Sequence, residues 1–121
     1  MSDDCLFPPR PITPDVIQEY ANLGWQMGLC CICGSQAIVR QPDQAIFCVC
    51  CPVCQRFTVS FSGASDIKGY RKAHPNDEDK LLAGLSRYCS QSDAPVHLRQ
   101  NTWQWLAAEG ARGLSPGLSP P

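Results

Sequence analysis

The chain has 121 residues, an apolar share of 44% and a formal net charge of −1, which leaves room for one modest core and speaks against a general polyanion binder. No apolar run approaches the roughly 20 residues needed to span a bilayer. The acidic start Met1-Ser2-Asp3-Asp4-Cys5 lacks the basic and apolar stretches of a secretory signal, so the cytoplasm is the expected compartment.

In chain order, residues 1–13 carry Pro8, Pro9 and Pro11 and read as an extended lead-in, with order expected from Thr13. Thr13-Pro14-Asp15 has the pattern of an N-cap, a first-turn proline and a first-turn acid, and Gly24 supplies a stop, which predicts a helix over 14–23. Val16, Ile17, Tyr20 and Leu23 recur at helical spacing and give it one apolar face. The segments 36–40 and 45–50 flank Gln41-Pro42-Asp43-Gln44, a hairpin signal in which Pro42 suits the second position of a type I turn. A third strand is expected over 56–61, where strict alternation puts Phe57, Val59 and Phe61 on a buried face, and Ser62-Gly63 ends it.

The stretch 66–74 is polar and partly basic and reads as a loop. Asn76 and the acids Asp77, Glu78 and Asp79 are placed to start a helix over about 77–90, with Leu81, Leu82, Leu85, Tyr88 and Cys89 as its apolar face. Gly84 inside it costs about 1 kcal/mol relative to alanine. Asp93-Ala94-Pro95 breaks the pattern, residues 96–98 read as briefly extended, and Asn101-Thr102 caps a last helix ending near Gly110, packed through Trp103, Leu106 and Ala107. The end repeats Gly-Leu-Ser-Pro without charge or periodicity, as flexible tails do. The expected organisation is a lead-in over 1–13, a single domain over 14–110 and a tail over 111–121.

Nine cysteines in a chain of this kind point to metal binding before a disulfide framework, and an odd count fits poorly with full pairing. Cys30-Cys31-Ile32-Cys33-Gly34 and Cys51-Pro52-Val53-Cys54 each present two thiols three positions apart, with residues 34–50 between the pairs. Two such turns, brought together by the hairpin, have the spacing of one tetrahedral four-thiolate zinc site. Cys30, Cys33, Cys51 and Cys54 are the expected ligands of one structural Zn²⁺. The neighbouring thiols leave rival sets open, with Cys31 for Cys30 or Cys50 for Cys51, and an iron–sulfur cluster uses the same donors. Cys48 and Cys89 are expected as small buried apolar groups.

Residues 28–62 resemble the zinc-ribbon families, whose knuckles read Cys-Pro-x-Cys-Gly. Cys30, Cys33, Gly34, Cys51, Pro52 and Cys54 match that pattern. Cys31 stands where proline is common, and Gln55 replaces the second glycine, which implies a left-handed non-glycine residue at a cost of about 1–2 kcal/mol. The resemblance implies a small α+β fold: a three-stranded zinc ribbon with a short N-terminal helix and two C-terminal helices. More loosely, Cys51-Pro-Val-Cys-Gln-Arg-Phe-Thr-Val followed by the Leu-Leu-Ala-Gly-Leu-Ser-Arg-Tyr helix is similar to an uncharacterised bacterial zinc-ribbon module of multi-domain proteins, some near defence functions. That similarity implies a docking module, a subunit of a bacterial or phage-related defence or counter-defence assembly.

Four thiolates close a zinc shell, whereas a catalytic zinc keeps an open position. His74 and His97 are the only histidines and lie in no HExxH context, and no phosphate loop or nucleophile elbow occurs. A non-enzymatic adaptor that docks on a protein is therefore expected, through Trp105 or Trp103, which sit two apart on a helix and cannot share one face. A second reading is nucleic-acid binding through Arg56, Lys68, Arg71 and Lys72, with Tyr70 as a stacking ring. A third is a thiol redox switch using Cys31, Cys48 or Cys50.

Overall fold

A computed structural model describes residues 7–8, 11–74, 81–92 and 94–111. In chain order the elements are α1 (Pro14–Ala21), β1 (Gln26–Leu29), β2 (Gln36–Asp43), β3 (Ile46–Cys51), β4 (Gln55–Ser60), α2 (Phe61–Ala73), α3 (Leu81–Gln91), β5 (Val96–Leu98) and α4 (Trp103–Ala111). The strands form one sheet in the order β1-β2-β3-β4-β5. It is antiparallel as far as β4, and β5 joins parallel to β4. The chain is thus α+β, but the sheet has five strands where three are expected, and four helices where three are expected. None of these helices is long and apolar enough to cross a membrane.

α1 begins as its sequence predicts: the Thr13 hydroxyl accepts from the Val16 N–H at 3.3 Å, Pro14 occupies the first turn, and Gly24 turns the chain at φ 113°. Its buried Ile17 lies against one face of the sheet with Ile12, Trp25, Ile38, Cys48 and Cys50. The lead-in is packed further back than Thr13. Ile12 is in this core and Phe7 meets Trp25 at 6.1 Å between ring centroids; residues 1–6 and 9–10 of the lead-in, and the tail from 112, lie outside the described residues.

Strand parity sorts the cysteines. Cys48 and Cys50 alternate onto the α1 face, while Val49 and Cys51 face the opposite core with Ala37, Phe57 and Val59, as a two-residue period requires. The hairpin is tighter than expected. Pro42 lies within β2, where the register shifts between Arg40 and Asp43, and Asp43 pairs with Ile46, so the turn is Gln44-Ala45. A proline lacks the N–H that a regular ladder needs, and the irregularity is where the sheet tolerates it.

The second face is covered by α2, α3 and α4 around Phe57, Ile67, Leu85, Leu98 and Trp103. α2 replaces the expected polar loop. Ser60 ends β4 and its hydroxyl accepts from the Gly63 N–H at 3.0 Å, capping a helix that starts at Phe61. Phe61 is consequently not in the core; it is 59% exposed and stacks on Phe47 at 5.8 Å. Ala64, Ile67 and Tyr70 turn inward at helical spacing, which leaves Lys68 and Lys72 outside. The expected cap of α3 at Asn76 and its acids lie outside the described residues, and α3 is described from Leu81. α3 and α4 meet at backbone level, since a Cβ on Gly84 would strike the Ala107 carbonyl and one on Gly110 the Gly84 carbonyl.

Candidate metal centre

Two turns build the centre. Cys30 follows β1, its N–H donating to the Ser35 carbonyl and its carbonyl accepting from the Gly34 N–H, both at 2.9 Å, with Gly34 at φ 77°. Cys51 closes β3, and the N–H groups of Val53 and Cys54 each donate to its Sγ at 3.3 Å. Gln55, at φ 68°, returns the chain to β4. The four Sγ atoms of Cys30, Cys33, Cys51 and Cys54 all lie within 4.8 Å of one another. Cys30 and Cys54 are 3.8 Å apart and Cys33 and Cys51 3.4 Å. Cys33 is half-buried and the other three are buried.

This donor set fits a metal ion. Hydrogen bonds from Cys30, then Cys51 and Cys54, pull the Cys33 thiol below its ordinary range, and those from Cys30 and Cys54 pull Cys51 down. Cys30 is pushed up, chiefly by its contacts with Cys33 and Cys51, and Cys54 by those with Cys30, Cys33 and Cys51. Four sulfurs this close cannot all be anionic without a cation between them, and a bound cation makes all four thiolates. The rival ligand sets do not form: Cys31 points into the helix-side core, pushed up to about 11 by burial despite Lys68, and Cys50 sits on the α1 face, pushed up to about 12 by burial. Burial likewise raises Cys89. Cys48 differs from the expectation of a plain buried thiol, because it is disulfide-bonded.

Groups outside the two turns hold the centre. The Cys54 Sγ and the Ser86 Oγ of α3 are 3.0 Å apart, and Arg71 of α2 donates from Nη1 to the Cys30 carbonyl at 3.1 Å. The Arg71 guanidinium lies over Gly34, leaving no room for a Cβ there. The Gln55 amide accepts from the Ile12 N–H at 2.8 Å and donates to the carbonyls of Ile12 at 3.3 Å and Pro52 at 3.0 Å. Of these supports only Gln55 was flagged by its departure from the ribbon pattern. Ser86 and Arg71 join through tertiary packing, for which residue spacing carries no signal.

The remaining candidates do not form one surface. Arg56 pairs across from Cys50 and so shares the α1 face, whereas Lys68, Arg71 and Lys72 are on α2 at the other. Tyr70 stacks on His74 at 4.1 Å and meets Trp103 edge-on at 5.5 Å. Trp103 is 1% exposed, its Nε1–H donating to Asp66 at 2.7 Å, while Trp105 is 43% exposed. His97 Nδ1 lies 2.7 Å from the Thr58 hydroxyl, and burial, with Arg99 nearby, pulls its pKa below the ordinary value. Neither His97 nor His74 joins the cysteine group. Fold and site define an α+β chain with a four-cysteine group whose sulfurs are close enough to hold one metal ion. No family model, curated protein or solved structure matches it.

Proposed function

We propose that the chain binds one structural zinc ion through Cys30, Cys33, Cys51 and Cys54 and acts as a non-enzymatic, zinc-ribbon-like module that docks on a protein partner. The observation that carries this reading is the convergence of four sulfurs from two knuckle turns, a donor set that closes a tetrahedral shell and leaves no position for a substrate. Zinc supplies there a cross-link between the β1–β2 and β3–β4 turns. Docking on protein is favoured over nucleic acid by the aromatic side chains: Tyr70 is engaged by His74 and Trp103, whereas Trp105 is exposed. Exposed tryptophans are frequent interface anchors.

Elemental analysis of the purified full chain tests the metal, with one zinc per chain expected; bound iron with oxygen-sensitive colour would replace zinc by a cluster. Affinity capture with the zinc-loaded protein, its Trp105→Ala variant and a triple Lys68→Ala, Arg71→Ala, Lys72→Ala variant tests the docking. Loss of the captured protein in Trp105→Ala, with zinc content unchanged, supports it. Capture of nucleic acid that only the triple variant abolishes, with a steep salt dependence, would replace it.

A further inference from the structure

Beside the metal centre an open cleft of about 530 Å³ runs between the two knuckle turns and the outer faces of α2 and α3. Its knuckle wall is apolar, with Ile32 and Val53, and Val53 is 51% exposed. Its helical wall carries Arg71, His74 and Arg87, together with the hydroxyls of Ser86 and Ser90. No carboxylate among the described residues lines it; the acids Asp77, Glu78 and Asp79 lie outside them. In a chain of net charge −1, two guanidinium groups facing one cleft are a local reversal of sign.

We propose that this cleft is a recognition site for an acidic peptide segment carrying an apolar side chain. The inference rests on the reading of the chain as a protein-docking module and assigns a chemistry to what it docks. Arg71 is held in place by its bond to the Cys30 carbonyl, which spends one of the five N–H donors of its fork. A guanidinium fixed in this way meets a carboxylate with little further loss of side-chain freedom. Arg87, on the exposed face of α3, offers a second fork on the same helical wall. Facing them, Val53 presents an apolar surface that water solvates poorly, to which Ile32, 1% exposed, adds little, and an aliphatic side chain flanked by carboxylates satisfies both walls. Cys33 also borders the cleft. Its sulfur is a ligand and not a contact in this scheme, but the cleft's knuckle wall exists only while the turns are held, so recognition depends on the metal.

The probe is a pool of short labelled peptides in which glutamates flank a single leucine, with a matched pool carrying glutamines and another carrying serine for leucine. Binding to the zinc-loaded full chain is followed by fluorescence anisotropy, with single-stranded DNA as a competitor of equal charge. The acidic pool should bind, and the glutamine and serine pools should bind about tenfold more weakly or worse, the loss expected for a charged hydrogen bond or a buried side chain. Arg87→Gln and Val53→Ser, both at exposed positions that leave the cysteines untouched, should each weaken the acidic pool by a similar factor with zinc content unchanged. Equal binding of acidic and glutamine pools, or no effect of Arg87→Gln and Val53→Ser, overturns the proposal. DNA binding that depends on Arg87 overturns it in favour of a nucleic-acid site. These outcomes are separate from loss of partner capture in Trp105→Ala, so the cleft can fail while the docking reading stands.

Discussion

At the scale of single residues, Gln55 shows how a cost and its offset share one side chain. Its φ of 68° is the left-handed conformation that the ribbon pattern normally assigns to glycine, and the missing glycine made that strain legible in the sequence. The offset was not legible, because the amide clasps Ile12, a partner 43 positions away. Gln55→Gly should remove the strain and the clasp together, leaving stability within about 1 kcal/mol of the parent. Gln55→Ala keeps the strain and loses the clasp, and should cost about 2 kcal/mol. Denaturant melts of both variants check this: an alanine variant as stable as the parent would show that Ile12 needs no clasp, and one as stable as the glycine variant would show that the left-handed turn carries no strain. The cysteines divide in the same way. Cys51→Ser should abolish zinc binding, whereas Cys89→Ala, buried in the helix-side core, should keep one zinc per chain and lower only stability.

At the scale of elements, what could be read depended on whether the signal was local. α1 carries its own cap, proline and stop, and its start at Pro14 was readable. α2 was missed because its cap, Ser60, is also the last residue of a strand, and Ser62-Gly63 looks like a strand end when the helix beyond it is sparsely apolar. β1 is too short, at four residues, for a period to show; residues 96–98 did read as extended and form β5, but their place in the sheet depends on pairing with β4. Gly84 was visible only as a helix-weakening residue; its reason is the close approach of α4. Gly84→Ala should therefore destabilise by about 2 kcal/mol or more through overpacking, although alanine is the better helix former, and thermal melts check it. The β4–β5 pair carries a pH dependence as well. His97, with its folded pKa below the unfolded value of about 6.5, is favoured neutral in the fold. The unfolded chain then binds more protons in that window, so stability falls as pH drops through about 6.5 towards the folded value. His97→Gln should flatten that part of the stability curve.

At the scale of the whole molecule, the four sulfurs sit in the helix-side core and are tied to three further parts of the chain. Cys30 and Cys33 belong to the turn between β1 and β2, Cys51 and Cys54 to that between β3 and β4. Ser86 ties the site to α3, Arg71 ties it to α2, and Gln55 ties it to the segment before α1. The ligand spacing was fully present in the sequence, while this wider anchoring arises only once the chain is folded. Binding energies of structural zinc sites, about 10–16 kcal/mol near neutral pH, are as large as the whole stability of an ordinary domain, about 5–15 kcal/mol. Removing zinc with a chelator should therefore leave the chain without a cooperative thermal transition, and adding zinc back should restore it. Acid should act like the chelator. All four ligands must be thiolates in the loaded state, so their effective pKa values lie below those of the unfolded thiols, and the stabilisation is present at higher pH and is lost as pH falls. Circular dichroism melts of loaded and stripped protein, with zinc release followed by a chromogenic chelator during acidification, measure both effects. A stripped chain that melts cooperatively at the loaded temperature would mean that the two apolar cores hold the fold by themselves and that the four sulfurs have a purpose other than structure.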